Sequence, residues 1–291
     1  MLGSWNVRGL NGPNKQKVVH DWILRNNLKI IGMLETKVLH ENVEKVQRGL
    51  NLTGWNFFSN GTLGNTTRII IGWDSTKCHV HCIHSAQQWM TCEVRNLKSN
   101  MRLTITFVYC MNTPADRQDL WAYLCRHIFG QGQRSWLLMG DFNATLKASN
   151  SKGGDVRWAG HKNDFGDCLL AAQLHSISYS GLRYTWHNGQ DHQNMILKKL
   201  DWVLGNLGFN LAWPNAQAIF QPRNMSDHSA MVLHLHPNQA TPPLQFKFLN
   251  LWTQQEDFLP IVSNVWQDWV VGNAMFQLTT KLNKVKAHLR N

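Results

Sequence analysis

The sequence predicts an α/β fold with a two-layer sheet core and helices on the outside. Three observations point there. Short runs rich in Ile, Val, Trp and Thr, bounded by Gly, Asn or Asp, recur along the chain and read as strands. Between them lie stretches whose apolar residues fall at helical spacing. The chain has 291 residues, 43% of them apolar, which can bury the core of one large α/β domain and leave an appendage. Strands in the middle with helices between them fit a sheet-on-sheet core flanked by helices.

The expected strands occupy residues 2–7, 30–35, 67–73, 91–94, 103–109, 135–140, 200–204 and 231–236. The first expected helix, 15–26, carries Val18, Val19, Trp22 and Ile23 as one stripe. The second, 115–129, follows Thr113-Pro114, a capping residue and then a proline suited to a first turn. A third covers 165–173. Residues 237–243 hold two adjacent prolines among Asn, Gln and Thr and read as a linker. Beyond it Phe248, Trp252, Phe258, Val262 and Trp266 recur at loosely helical intervals, and 281–291 is basic and helical in pattern. The expected division is a domain at 1–237, then a linker and helical tail at 238–291.

Composition narrows the partners. Lys plus Arg number 29 against 18 Asp plus Glu, a formal charge of +11 that favours a polyanion. There are six cysteines; Cys78 and Cys82 are four apart, without a second pair to complete a zinc site. Free thiols in a reducing compartment, nuclear or cytoplasmic, are therefore expected. Neither a leader peptide nor an apolar run of about 18 residues is visible, so neither secretion nor a membrane span is expected. No obligate protein partner is evident.

Five segments carry chemistry, each at an expected strand end. They are Ser4-Trp5-Asn6-Val7-Arg8-Gly9-Leu10, Leu34-Glu35-Thr36-Lys37, Met139-Gly140-Asp141-Phe142-Asn143-Ala144-Thr145, Lys199-Leu200-Asp201-Trp202-Val203 and Ser226-Asp227-His228-Ser229. Singly each has an ordinary explanation. A Glu after a strand usually faces solvent, and Asp and Asn favour turns. Asp201 resists such an explanation, because an unpaired carboxylate buried in a strand costs several kcal/mol. His228 is its natural partner. Lys198, three residues away, points to the opposite face of the strand, and Lys199 would have to bend back.

Together the five segments supply a site for phosphodiester hydrolysis. Glu35 and Asp227 offer hard oxygens of the kind Mg²⁺ prefers, Mn²⁺ being the other candidate. Asp141 can take a proton from water oriented by Asn143. His228, held by Asp201, can donate toward the developing charge. Asn6 can bond the metal ligands or the phosphate.

The ordered set Trp-Asn-Val-x-Gly, Leu-Glu-Thr-Lys, Gly-Asp-Phe-Asn, Leu-Asp-Trp-Val and Ser-Asp-His resembles the endonuclease/exonuclease/phosphatase superfamily over residues 2–236. The resemblance implies a four-layer α/β sandwich, two mixed β-sheets packed face to face with helices outside. It also implies a catalytic group of Asp141, Asn143, Asp201, His228 and Tyr109. Glu35, Asp227 and Asn6 are the implied metal site, and Asn112, Arg8, Thr145, Trp186 and Ser226 the implied substrate contacts.

Finer features resemble the endonuclease domain of plant LINE-type retrotransposons. These are Asn6–Asn11, Gly153-Gly154, Tyr184-Thr185-Trp186-His187-Asn188, and the tail Phe246-Lys247-Phe248 with Trp252, Phe258 and Trp266. No reverse-transcriptase motif is present. Arg8 stands where apurinic endonucleases carry an acidic ligand, and Ser176 where related LINE domains carry Asp. The expected function is Mg²⁺-dependent nicking of one DNA strand to leave a 3′-hydroxyl. The alternatives are an apurinic-type repair endonuclease, a small-molecule phosphatase, or an inactive remnant that only binds nucleic acid.

Overall fold

A computed structural model describes residues 1–61, 64–131, 134–154, 160, 163–235, 248–272 and 274–289. The chain starts with β1 (Leu2–Asn6), α1 (Pro13–Arg25), β2 (Ile30–Leu39) and α2 (Val43–Gly49). A run of strands follows: β3 (Trp55–Ser59), β4 (Thr66–Asp74), β5 (Cys78–Ser85), β6 (Trp89–Asn96) and β7 (Arg102–Tyr109). Next come α3 (Gln118–Gln131), β8 (Trp136–Asp141), β9 (Ser151–Lys152) and α4 (Asp164–Ala171). Four short strands, β10 (His175–Ser176), β11 (Tyr179–Gly181), β12 (Trp186–His187) and β13 (Leu197–Lys198), precede β14 (Asp201–Gly205). The domain closes with α5 (Leu207–Ala212), β15 (Gln217–Phe220) and β16 (Met231–His234).

One sheet has seven strands in the order β11-β15-β16-β1-β2-β4-β3, and a second has six in the order β10-β14-β8-β7-β6-β5. Both are mixed: β1 pairs parallel with β2, and β7 with β8, while their other neighbours run antiparallel. Alternate residues of each strand point inward, so Leu34, Ile69 and Ile71 of one sheet share a buried core with Ile105, Phe107 and Met139 of the other. Gly32 is needed at this seam, because a Cβ there would fall 2.1 Å from Phe107 Cδ1. The outer faces are also apolar. Val19, Trp22 and Ile23 of α1 cover Trp5, Ile31 and Met33, and α3 and α4 cover Trp136, Leu138 and Trp202. This is the expected four-layer α/β sandwich.

Local differences have local causes. The helix expected at 115–129 begins three residues late, because the Asp116 N–H donates to Thr113 Oγ1 (3.2 Å) and holds a turn first. The strand expected to stop at Glu35 runs on to Leu39, with a register shift between Leu34 and Val38. Strand β5 escaped the sequence reading because its solvent face is built of histidines rather than charged residues. Strand β3 is only partly buried at a sheet edge and shows little alternation.

The chain forms two compact units, Met1–Gln239 and Ala240–Asn291. The expected linker at 237–243 and the Phe246-Lys247 pair lie outside the described residues. The second unit contains α6 (Phe258–Gln267) and α7 (Ala274–His288), with Lys284 paired to Asp268 at 2.6 Å. No described helix is long and apolar enough to cross a membrane.

Candidate active site

Sheet register builds the centre of the site. Tyr109 at the end of β7 is the cross-strand partner of Asp141 at the end of β8, and Asp141 is in turn the partner of Asp201 at the start of β14. Three polar residues thus form one rung across three strands. Gly140 lets β8 press close just before Asp141: its φ is +152°, and a Cβ would meet the Val108 carbonyl oxygen at 2.0 Å.

Asp141 and Asp201 are both buried, and like charges facing each other across a sheet repel. His228 resolves the conflict. It precedes β16 of the other sheet and lies between the carboxylates, Nδ1 3.0 Å from Asp201 Oδ2 and Nε2 3.6 Å from Asp141 Oδ2. Burial alone would lower the His228 pKa, but Asp201 and Asp141 outweigh it and push it up to about 9. Burial pushes Asp141 up from the usual carboxylate range, while His228 holds it back. Asp201 faces His228. Lys199 Nζ is buried without a hydrogen-bond acceptor, 3.8 Å from the Phe220 ring centre and 3.9 Å from that of Tyr179.

Asn6, at the end of β1, clasps the sheets together. Its Nδ2 donates to Asp141 Oδ2 at 2.9 Å, and its Oδ1 accepts from the Arg8 N–H at 3.0 Å. Asn6, expected at the metal site, here brackets Asp141 with both ends of its amide engaged.

Glu35 is projected by the irregularity in β2. Its φ is +51°, its carbonyl accepts from Gly9 N at 2.7 Å, and Thr36 is anchored through its hydroxyl to Thr67 O at 2.7 Å. Arg8 (φ +48°) and Asn143 (φ +47°) share this left-handed conformation. Asn tolerates it, but in Glu and Arg it stores roughly 1–3 kcal/mol that the surrounding hydrogen bonds must offset. Three of the expected site residues therefore sit on left-handed backbone, two of them strained. The Glu35 carboxylate meets Lys37 Nζ at 2.8 Å and the Tyr109 hydroxyl. Burial, then the charge of Glu35, raises the Tyr109 pKa, so the phenol stays protonated and donates.

Asp227 is held by two donors on one oxygen, Arg8 Nη1 at 2.5 Å and Trp186 Nε1 at 3.0 Å. Of the two expected metal ligands, Asp227 thus has its Oδ2 engaged by side-chain donors. Arg8 and Trp186, expected to touch substrate, here orient Asp227. Ser226, expected at the substrate, is buried, and its hydroxyl donates to Asn6 O (2.7 Å) and accepts from His228 N–H (3.1 Å), latching the loop.

Asn143 Nδ2 donates to Cys110 O at 2.7 Å and its N–H to Asp141 Oδ1 at 3.0 Å, leaving its side-chain carbonyl to accept from a water. Asn112 and Thr145 line the adjacent cleft with Arg117 and Lys198.

Sequence motifs missed the basic rim. Lys15 Nζ donates to Val7 O at 2.6 Å and feels the charges of Asp227 and Glu35. The Arg68 guanidinium lies 4.6 Å above the Tyr109 ring, Arg117 donates to Asn143 O at 2.5 Å, and Arg223 feels Asp227. These cations come from a helix, a strand and two loops, so no local pattern marks them.

The donor set fits a hard divalent cation. Mg²⁺ binds through one or two carboxylates, waters and substrate phosphate, and Glu35, beside the Tyr109 hydroxyl, offers one such carboxylate. Asp141, Asp201 and His228 also bring one ligand atom each within 4.8 Å of one another. That position is already filled by the imidazole, whose two nitrogens face the two carboxylates, so Glu35 suits a cation better.

Two mixed sheets with carboxylates, an imidazole and amides meeting at their strand ends define a hydrolase fold of the nuclease and phosphatase type. Residues 3–228 match the endonuclease/exonuclease/phosphatase family, and the chain belongs to it. The endonuclease domain of TRAS1, a telomere-specific non-LTR retrotransposon, is similar in structure. It is 13% identical with a TM-score of 0.60, over 82% of this chain and 99% of that one. The AP endonuclease LMAP from Leishmania major is 14% identical with a TM-score of 0.62, over 81% and 87% of the two chains. A mannosyl-6-phosphatase from Bacteroides thetaiotaomicron is 11% identical with a TM-score of 0.54, over 81% and 98%. These likenesses carry the fold alone.

Proposed function

We propose that this chain is a divalent-metal-dependent endonuclease that nicks one strand of DNA and leaves a 3′-hydroxyl, of the kind found in LINE-type retrotransposons. The observation that carries the reading is the row Tyr109–Asp141–Asp201 with His228 between its carboxylates, opening onto a rim of Lys15, Arg68, Arg117 and Arg223. A polyanion would be drawn to that rim, whereas a small phosphorylated metabolite would not need it. The resemblance of Asn6–Asn11 and Tyr184–Asn188 to plant LINE endonuclease domains supports the retrotransposon assignment, as does likeness of fold to the TRAS1 domain.

In this mechanism Asp141 accepts a proton from the attacking water, which the Asn143 carbonyl orients. His228, held by Asp201, donates toward the phosphate oxygen on which negative charge develops. Tyr109 donates to the phosphate. Mg²⁺ or Mn²⁺, when bound through Glu35, supplies charge neutralisation at the phosphate. Arg8 fixes Asp227 at the edge of the site.

Incubation of purified chain with supercoiled plasmid tests the proposal. Open circles resealable by DNA ligase should form with Mg²⁺ and not with EDTA, and Asp141→Asn should abolish them. Nicking that persists in EDTA, or in the Asp141 variant, would overturn it.

A further inference from the structure

Helix α3 covers only part of the outer face of the six-stranded sheet. Thr91 and Thr106 lie beneath it, bonded to each other at 2.9 Å, with Thr91 also bonded to Tyr123 at 2.7 Å. Toward the other ends of the strands the same face is more open, and Glu93, Arg95 and Arg102 are exposed there. There His79 of β5 stands directly opposite Arg95 of β6, and Arg95 directly opposite Arg102 of β7. In the next rung His81 faces Glu93, which faces Thr104. Arg134, just before β8, lies 3.8 Å from Glu93 and closes one side of an open cleft lined by these groups.

Like charges directly opposite each other in an antiparallel pair are destabilising. Among the described residues neither Arg95 nor Arg102 has an ion-pair partner, and the single carboxylate of the cleft leans toward Arg134. The fold thus holds Arg95 and Arg102 in mutual repulsion on an open face, which an anion would relieve. With Arg134 just before β8 the arginines of the cleft form a row spanning two strand spacings, roughly 10 Å, too broad for one small anion. Among the described residues no Phe, Tyr or Trp lines the cleft, so these offer none of the aromatic platforms on which unpaired bases stack. Strand β7 has 8 residues, which puts this row about 23 Å along the strand from Tyr109.

We infer that this cleft is a second nucleic-acid site that grips the phosphate backbone of duplex DNA away from the position being cut. The inference rests on the reading of DNA as the substrate. The cleft adds affinity and residence time and takes no part in the chemistry.

The test compares the full chain with an Arg95→Gln/Arg102→Gln variant. Binding of a fluorescent 30-base-pair duplex is measured by anisotropy across a salt series, alongside nicking of plasmid. The variant should bind about 10-fold more weakly at low salt, and its slope of log K against log salt should be shallower by about 2. Turnover at saturating plasmid should not change. The melting temperature should hold or rise slightly, because a repulsion is removed. An unchanged slope in the variant, a larger loss for single-stranded RNA than for duplex, or no duplex binding by the parent chain would overturn the inference. A parent that binds duplex through these arginines but does not nick would overturn the endonuclease reading and leave the cleft standing. A parent that nicks while the variant keeps its slope would overturn the cleft alone.

Discussion

Asp201 and His228 lie 27 residues apart in sequence and meet at 3.0 Å through Oδ2 and Nδ1, sealed from solvent. The carboxylate fixes which ring nitrogen faces Asp141 and sustains the charge on the ring. His228→Ala should lower turnover about 10²–10⁴-fold with little change in DNA affinity. Asp201→Asn should do similar damage. The double variant should be little worse than either single one, because the two act as a unit. Single-turnover rates of all four proteins check this, and additive losses would mean that the residues act separately.

The elevated pKa of His228 fixes the direction of its pH dependence. A group whose pKa is raised from 6.5 to about 9 by folding stabilises the native state fully below the lower value. That contribution is lost as pH rises through about 9. Turnover should fall over the same alkaline range as the proton leaves the ring. Asp201→Asn removes a main cause of the rise, so the alkaline limb of its pH–rate profile should move to lower pH. A limb that stays in place would assign the transition to another group.

Lys199 behaves in the opposite sense. Burial lowers its pKa from 10.5 to about 7, with Asp201 partly opposing. Its desolvation therefore weighs on the fold in full below about 7 and eases as pH climbs toward 10.5. Lys199→Met keeps the apolar contacts with Phe220 and Tyr179. It should be neutral or more stable at pH 6 by roughly 1 kcal/mol, and should lack the alkaline gain of the parent. Urea denaturation at several pH values reads this directly.

Metal use should depend on Glu35. Glu35→Gln should raise the Mg²⁺ concentration for half-maximal nicking by about 10–100-fold while leaving duplex affinity in EDTA unchanged. A titration of nicking against Mg²⁺ gives the answer, and an unaltered midpoint would remove Glu35 from the metal site.

Ala240–Asn291 forms a compact unit of its own and holds none of the candidate catalytic groups. A chain ending at Gln239 should melt cooperatively and nick plasmid at a rate within a few-fold of the full chain. Lost activity with an unchanged melting transition would mean that the tail serves the site.

Much of this was legible in sequence because the polar residues of the site interrupt strong patterns. Asp141 and Asp201 break otherwise apolar strands, and the motifs around Asn6 and His228 lie beside long buried runs. The two-layer sheet core follows from the strand and helix patterns, and the four-layer sandwich from the family resemblance. What sequence concealed depends on conformation or on distant packing. The left-handed backbone at Arg8 and Glu35 has no glycine to announce it. The capture of Asp227 by Arg8 joins residues 219 apart. A hydroxyl beside an Asp-His pair, as at Ser226, gives no sign of facing inward. Lys199, two residues before Asp201, reads in sequence only as a rival partner for that carboxylate. Its seat among aromatic rings depends on Tyr179 and Phe220, which belong to the opposite sheet.

The Asn6–Asp141 hydrogen bond crosses from one sheet to the other at the mouth of the site, and His228 spans the same gap. Anything bound there touches both halves of the sandwich at once and works as a rivet. Occupancy and the breathing of the two sheets are therefore one equilibrium viewed from two ends. A seated duplex should slow amide exchange along β1 and β8 well beyond the residues it touches. Release of the nicked product would in turn require the sheets to part slightly at this edge, so the pace of that opening could limit turnover even when bond cleavage is fast.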